Sequence, residues 1–189
     1  MPVPNQKTYT IEDIYALPDG ERAELIDGQI YYMAPPSTTH QRVLNYLNTE
    51  INLYIRNKDG KCEVFPAPFS VYPELEGEDI KIYLEPDISV ICDKGKLDEK
   101  GCHGGPDWII EIVSPTSKRM DYYTKLSIYR AAGVREYWIV DPMRESITVY
   151  DMEHDAAPVI YHFTDKVKAS IYDDLEIDFA EVKRLVSGK

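Results

Sequence analysis

The chain has 189 residues, of which 43% are hydrophobic and 11% aromatic, and its formal net charge is −12. This composition excludes a disordered chain, so residues 1–189 are predicted to fold as a single domain with its own core. No apolar run approaches the roughly 18 residues of a membrane span, and residues 1–6 lack the features of a signal peptide, which predicts a soluble cytoplasmic protein.

The negative charge is unevenly distributed along the chain. Residues 1–80 carry 6 basic and 13 acidic side chains, residues 136–189 carry 6 and 12, and residues 81–135 carry 9 and 8. A net charge of −12 disfavours a polyanionic partner, but the middle segment is where an anion would be tolerated best. The alternative is that the acidic flanks serve only solubility.

A short helix and a hairpin are predicted near the N-terminus. Thr10 and Asp13 have the spacing of a capping box, which starts the helix. Asp27-Gly28 is a strong hairpin signal because both residues tolerate positive φ in a two-residue turn. Strands are therefore predicted on either side of this turn, at residues 23–26 and 29–33.

A longer helix and an extended segment follow. Apolar residues recur with helical periodicity from Thr38 to Asn57, and His40 lies on the same helix face. Residues 62–71 are punctuated by prolines and are predicted to be extended, followed by an acidic loop at 73–79. The segment 93–105 mixes Lys, Asp and Gly and is predicted to be mobile.

The cysteines do not predict a cross-linked protein. Cys62, Cys92 and Cys102 are odd in number and have no Cys-x-x-Cys spacing, so neither a disulfide framework nor a zinc ribbon is expected. Cys102-His103 is interpreted as a mobile surface pair, because glycines surround it.

Two predicted core strands each carry a carboxylate. Glu111 stands in the apolar run from Trp108 to Val113, and Asp87 opens a second apolar run that ends at Ile91. Burying an ionised carboxylate without a partner costs several kcal/mol of folding free energy. Glu111 should therefore be protonated, paired, or directed at a cation.

The helix after the second of these strands supplies a cation. It is predicted over residues 118–132, with N-cap residues before it and Gly133 as its C-terminal stop. Lys125 lies in an otherwise apolar stripe, and the short connection packs the helix back on the sheet towards Glu111. The alternative is a lysine whose stem covers tyrosine rings and whose ammonium reaches water.

The remaining sequence alternates between strand and turn patterns. Strands are predicted at residues 137–140, 146–150, 159–163 and 168–171, and a helix at 179–186. Together the elements predict an α/β (α+β) fold with a mixed central sheet flanked by helices.

Two carboxylates and a lysine at one edge of a sheet predict a metal site for phosphate-ester hydrolysis. Two carboxylates about 4 Å apart repel by roughly 4 kcal/mol at an effective dielectric of about 20, so both remain ionised only beside a cation. Oxygen ligands favour Mg²⁺ or Mn²⁺ over zinc. Such an ion acidifies a bound water, while a nearby ammonium stabilises negative charge on the phosphoryl group.

These residues resemble the PD-(D/E)xK nuclease superfamily, and the surrounding sequence resembles its Uma-type branch of restriction endonucleases. The resemblance covers most of the chain: ELIDG at 24–28, Pro36-Ser37 with His40, Pro86-Asp87-Ile88, EIVSPTS at 111–117, Asp121 with Lys125 and Tyr129, and GVREYWIVDP at 133–142. The usual motif has a lysine two residues after the glutamate, where this chain has Val113. In the Uma-type branch the lysine has moved to the following helix, and Lys125 is the matching residue.

The resemblance implies a restriction-endonuclease-like fold and a set of site residues: Asp87, Glu111 and the Val113 carbonyl as metal ligands, Lys125 as the catalytic cation, and Glu24 and His40 as accessory catalytic residues. The alternative for Glu24 is a solvated strand residue, and for His40 a core histidine. Asp107 shares a strand with Glu111 at a distance of roughly 13 Å. It is therefore expected to start that strand or cap a loop.

The implied activity is Mg²⁺- or Mn²⁺-dependent hydrolysis of DNA, and a homodimer is the simplest assembly for cutting both strands. The main alternative is a catalytically silent relative that binds nucleic acid or a protein. It is supported by the net charge of −12 and by the lack of a basic helix or zinc motif. A carboxylate-pair glycosidase gives no role to Lys125.

Overall fold

A computed structural model describes residues 7–75 and 82–187. Residues 1–6 and part of the acidic loop predicted at 73–79 lie outside the described residues. Within the described ranges, no helix is long and apolar enough to cross a membrane.

The helices of the described residues agree with the predicted ones in number and place. They are α1 (Ile11–Tyr15), α2 (Thr38–Asn57), α3 (Leu126–Ala131) and α4 (Phe179–Ser187), with a 3-10 turn at Lys94–Lys96 and a π-helical segment at Met120–Lys125 that runs into α3. The capping box of α1 is present, because Thr10 N donates to Asp13 Oδ2 at 2.8 Å. The start and end of α2 are those predicted.

The strands are short and mostly buried. They are β1 (Ala23–Ile26), β2 (Gln29–Tyr32), β3 (Glu63–Pro66), β4 (Val71–Tyr72), β5 (Ile88–Ile91), β6 (Leu97–Asp98), β7 (Gly101–His103), β8 (Trp108–Ile112), β9 (Glu136–Asp141), β10 (Ser146–Asp151), β11 (Val159–His162), β12 (Lys166–Lys168) and β13 (Glu176–Asp178). Asp27 and Gly28 have positive φ in the turn of the β1–β2 hairpin, as predicted.

Six strands form the predicted mixed central sheet, in the order β11-β10-β9-β8-β5-β3. The β8–β9 pair is parallel, and its neighbours pair antiparallel. Side chains alternate between the two faces, as the pleat requires. One face packs Trp108 and Trp138 against α2 and α4, and the other packs Ile109 and Ile139 against α3.

Glu111 belongs to the second face, because it is two residues from Ile109 on β8. This placement determines the site: α3 with its π-helical extension and the β1–β2 hairpin both cover that face. The hairpin is attached by an antiparallel bridge between Leu25 and Tyr83, with N to O distances of 2.8 and 3.0 Å.

Two predictions about the cysteines were wrong, the absence of a disulfide and the mobile surface position of Cys102. Cys62 and Cys92 form a disulfide although they are 30 residues apart in the sequence. The antiparallel pairing of β3 with β5 brings them together, because Cys62 directly precedes β3 and Cys92 directly follows β5. Cys102 is a free, fully buried cysteine on β7 and is not part of a mobile surface pair.

The segment 93–105 is also more regular than predicted. It contains the 3-10 turn, β6 and β7, and β7 pairs parallel with β4. The strand predicted at 168–171 is displaced as well: β12 ends at Lys168 and pairs with β13, which the sequence pattern missed.

Substitutions of Gly101 in β7 and of Gly104 just after it test how closely this strand is packed. Both have positive φ, but a Cβ on Gly101 would lie 2.2 Å from the Ser70 carbonyl oxygen, whereas at Gly104 the nearest atom is 3.9 Å away. We expect Gly104→Ala to lower the free energy of unfolding by about 1–2 kcal/mol, and Gly101→Ala by roughly 3 kcal/mol or more because a backbone atom must also move. Urea unfolding followed by tryptophan fluorescence measures both, and equal losses would contradict this packing.

Candidate active site

The two predicted acids meet across neighbouring strands. Ile88 pairs with Ile110, and the same antiparallel register, extended by one residue, places Asp87 opposite Glu111. The Asp87 amide donates to Glu111 Oε2 at 3.4 Å, and the Ile112 amide donates to Asp87 Oδ2 at 2.7 Å. The Asp87 side chain is 13% exposed and that of Glu111 only about a third as much, at 4%, so Asp87 lies at the mouth of the site and Glu111 at its base.

Lys125 joins the site from the end of the π-helical segment. Its Nζ lies 2.9 Å from Glu111 Oε1, 2.9 Å from Glu24 Oε1 and 3.8 Å from Asp121 Oδ1. The ammonium is buried, so the interpretation of Lys125 as a lysine that reaches water is wrong. The same contacts exclude a solvated Glu24, which is buried and also accepts a hydrogen bond from the Glu85 amide at 3.1 Å.

His40 lies at the mouth of the site beside Asp87. Its Nε2 is 3.1 Å from Asp87 Oδ1, and its buried Nδ1 has no hydrogen-bond partner among the described residues. Ser37 caps α2 by accepting the His40 amide at 3.1 Å, which fixes the first turn of the helix that carries this imidazole. The described structure therefore gives His40 a carboxylate partner and not a purely apolar environment.

Three further side chains complete the site, and residue-by-residue reasoning did not assign them roles. Tyr129 Oη donates to Glu111 Oε1 at 2.7 Å, and Ser117 Oγ donates to buried Asp121 at 2.6 Å. With Lys125 they occur at every fourth position from the turn before the helix to its end, a spacing that could have revealed them.

The π-helical turn explains why this spacing works. An α-helix advances about 100° per residue, so positions four apart drift steadily around it. A π turn has more residues per turn and rotates less per residue, which reverses part of the drift. The segment Met120–Lys125 therefore keeps Ser117, Asp121, Lys125 and Tyr129 directed at the sheet, where a regular α-helix had been predicted.

The Val113 amide is directed away from Asp87. It donates to the Val140 carbonyl at 2.8 Å, on the side of β9. The Ile112 amide donates to Asp87 Oδ2, and alternation along a strand puts the Ile112 carbonyl on that side as well. The backbone direction therefore favours Ile112 over Val113 as the source of a carbonyl ligand beside Asp87.

Asp107 has the structural role expected of it. Its Oδ2 accepts the Cys92 amide at 2.7 Å, and its Oδ1 lies 3.1 Å from Arg135 Nη1. It thus caps the end of β5 and anchors the chain that enters β9.

The site carries more negative charge than its own cations balance. Burial raises the pKa of Glu111 well above its usual range, even though Lys125 opposes this, and Asp121, Asp87 and Glu24 raise it further. Burial likewise raises the pKa of Asp121 to about 6. Burial lowers the pKa of the Lys125 ammonium. The negative charges of Glu111, Glu24 and Asp121 outweigh this effect and raise the pKa well above its usual value.

This surplus fits a hard divalent cation. Asp87 at the mouth of the site and Glu111 at its base offer carboxylate oxygens, which are the ligands that Mg²⁺ and Mn²⁺ prefer. The described residues contain no cluster of three or more His, Cys, Asp or Glu side chains arranged to hold a metal. Two carboxylates nevertheless suit Mg²⁺, which usually retains several waters and takes only one or two protein carboxylates.

The fold and the buried acid–lysine cluster define a restriction-endonuclease-like protein. The model of the Uma2 family, described as "Putative restriction endonuclease", matches residues 11–180, and the chain belongs to this family.

Two individual proteins are similar to the chain. The uncharacterized protein slr1290 of Synechocystis sp. is 26% identical over 145 residues, which is 76% of this chain and 73% of that protein. A crystal structure from Anabaena variabilis, described as "a putative nuclease belonging to DUF820", superimposes with a TM-score of 0.75 at 20% identity and covers 94% of this chain and 98% of that one. At this identity the second match shows the shared fold.

The raised pKa of Asp121 predicts a pH-dependent contribution to stability. The folded state holds this proton more tightly than the unfolded state, so the contribution is complete below pH about 4 and is lost as the pH rises through about 6. Without divalent ions, the stability of wild type relative to Asp121→Asn should fall by about 3 kcal/mol across this range. Urea unfolding at several pH values measures the difference, and a difference independent of pH would contradict the assignment.

Proposed function

We propose that the chain is a metal-dependent DNA endonuclease that hydrolyses phosphodiester bonds. The observation that supports this most strongly is the register of β5 and β8, which sets Asp87 opposite Glu111 beside the Lys125 ammonium. Membership of the Uma2 family supports nuclease chemistry.

Asp87 and Glu111 would hold the metal, with a peptide carbonyl from the end of β8. The Val113 carbonyl was the candidate from sequence, and the direction of the strand favours Ile112. When bound, Mg²⁺ or Mn²⁺ would act as a Lewis acid on the phosphate and would lower the pKa of a water.

Lys125 is the residue that would stabilise the reacting phosphate. Glu24 and Glu111 hold its Nζ from two sides at 2.9 Å, so the ammonium is positioned before substrate arrives. A preorganised charge of this kind costs little reorganisation when negative charge develops on the phosphoryl oxygens. Glu24 is thus a positioning residue for Lys125.

Tyr129 and His40 orient the two metal-binding carboxylates. Tyr129 and Lys125 both donate hydrogen bonds to Glu111 Oε1. The other oxygen, Glu111 Oε2, lies on the side of Asp87. His40 holds Asp87 Oδ1, and its buried Nδ1 has no hydrogen-bond partner among the described residues. The net reaction joins a water oxygen to phosphorus, breaks one ester P–O bond, and leaves a phosphate and a hydroxyl group.

The rival function is binding of nucleic acid or protein without catalysis. The net charge of −12 favours it. Binding of DNA without cleavage across Mg²⁺, Mn²⁺ and Ca²⁺ would select this function over the nuclease.

We also propose a homodimer, because two-fold symmetry matches the two strands of a duplex. The outer edge of β11 is a poor interface: Pro158 has no N–H, and Asp165 Oδ2 accepts the His162 amide at 2.8 Å. A dimer should therefore form through another surface. Light scattering at several protein concentrations measures the mass, and a monomer on duplex DNA would contradict the dimer.

Glu111→Gln should abolish cleavage, because the neutral amide no longer balances a divalent ion. Lys125→Ala should slow single-turnover cleavage by on the order of 10² to 10³. The matched control is Glu136→Gln, a change of a buried glutamate on the opposite face of the sheet, where its carboxylate accepts Trp138 Nε1 and the Ile171 amide. Cleavage of a labelled duplex is measured alongside circular dichroism. Wild-type rates in either site variant would reject its role.

Divalent ions should stabilise the folded wild type by relieving the repulsion in the acid cluster. At an ion concentration of about 100 times the Kd, the gain is about 2.7 kcal/mol. Asp87→Asn and Glu111→Gln should lose most of this gain, while Glu136→Gln keeps it. Thermal unfolding with Mg²⁺ or Mn²⁺ measures the gain, and equal gains in all four proteins would exclude this metal site.

A further inference from the structure

A second buried carboxylate lies on the same face of the sheet as Glu111. Asp141 ends β9, is fully buried, and follows Val140, the parallel partner of Ile112. Two residues along a strand and one strand across put the Cα atoms of Asp141 and Glu111 about 8 Å apart. The acid cluster does not use Asp141.

Asp141 builds the turn that follows β9. Its Oδ1 accepts the amides of Met143 and Arg144, each at 3.1 Å. Its Oδ2 is buried and has no hydrogen-bond partner among the described residues. One oxygen therefore fixes the turn, and the other supplies negative charge without a short contact.

Two cations lie around this second oxygen. Lys118 Nζ is 3.7 Å from Asp141 Oδ2, and Arg144 Nε is 3.9 Å from it. Both distances are too long for hydrogen bonds. Asp141 therefore attracts the two cations without occupying their donors, and their side chains remain 39% and 63% exposed, enough to reach a ligand in solvent.

The two cations come from different parts of the chain, and each is connected to a residue that lies in or near the acid cluster. Lys118 directly follows Ser117, whose hydroxyl is bonded to Asp121, and Arg144 belongs to the turn fixed by Asp141. Two donor groups beside a single buried acid leave a local surplus of positive charge, which is unusual in a chain with a net charge of −12. An ammonium and a guanidinium together match the oxygens of a phosphate.

We propose that Lys118 and Arg144, gathered by Asp141, clamp one backbone phosphate of the nucleic acid next to the phosphate at the acid cluster. This inference rests on the proposed function, because it assumes that nucleic acid crosses this face of the sheet. The clamp would hold the nucleic-acid strand in position relative to Lys125. It contacts only phosphate and therefore gives no sequence specificity. Asp141 acts through the two cations and is a positioning residue.

The salt dependence of binding tests the clamp, because each neutralised phosphate adds about 0.9 to the slope of log Kd against log salt concentration for duplex DNA. Binding of a fluorescein-labelled duplex is measured by anisotropy with Ca²⁺, which takes oxygen ligands as Mg²⁺ does. We expect Lys118→Ala/Arg144→Ala to lower the slope by about 1, since both cations share one phosphate.

The control variant Lys58→Ala/Lys94→Ala makes the same change in net charge. These two lysines pair with Asp174 and Glu63, and Lys58 is about 27 Å from His40 along α2 at 1.5 Å per residue. The control should keep the wild-type slope. An unchanged slope in the Lys118/Arg144 variant, a decrease of about 2, or an equal decrease in the control would each overturn the shared clamp.

Cleavage by the wild type in Mg²⁺ separates the two proposals. Cleavage together with an unchanged slope in the Lys118/Arg144 variant overturns the clamp alone. Binding without cleavage, with the expected loss of slope, supports the clamp and rejects the nuclease. A wild type that does not bind DNA or RNA overturns both.

Discussion

The buried ammonium of Lys125 is the interaction on which the rest of this structure depends. It connects its own π-helical segment, where Asp121 also contacts it, to β8 through Glu111 and to β1 through Glu24. Removing one partner from a buried ion pair commonly costs about 3–5 kcal/mol, because the remaining charge is left uncompensated. The hairpin and the helix are thus held to the sheet by the same charge that would act on the substrate.

This arrangement leaves the site with more negative than positive charge. One ammonium faces several carboxylates, and the raised pKa values of Glu111 and Asp121 express the charge left unbalanced. In the proposed mechanism, a divalent ion would relieve this imbalance before a phosphate binds.

Local signals in the sequence were sufficient for the longer elements, and they pointed to two acids of the candidate site. The apolar period defined α2 from its first residue to its last, and Asp27-Gly28 defined the hairpin. Buried charges in apolar runs pointed to Asp87 and Glu111, because nothing in a core strand explains a carboxylate. The family resemblance then supplied Glu24 and His40 and gave Lys125 its catalytic role, although local patterns offered structural explanations for all three.

What the sequence could not supply depends on contacts between distant residues. Strand register decides that Asp87 stands opposite Glu111 and that Ile112, and not Val113, faces Asp87. Pairing of β3 with β5 creates the Cys62–Cys92 disulfide, which has no spacing signal. The π turn is invisible to a search for α-helical periodicity, although the four-residue spacing from Ser117 to Tyr129 records its consequence.

The most direct measurement of the central claim is the anomalous scattering of a crystal soaked in Mn²⁺. Two opposed carboxylates beside a fixed ammonium require the ion to lie between Asp87 and Glu111, within coordination distance of both. A peak at that position, absent from crystals of Glu111→Gln, is the predicted result. Manganese bound elsewhere, with the Asp87 and Glu111 carboxylates free of it at saturating concentration, would contradict the account.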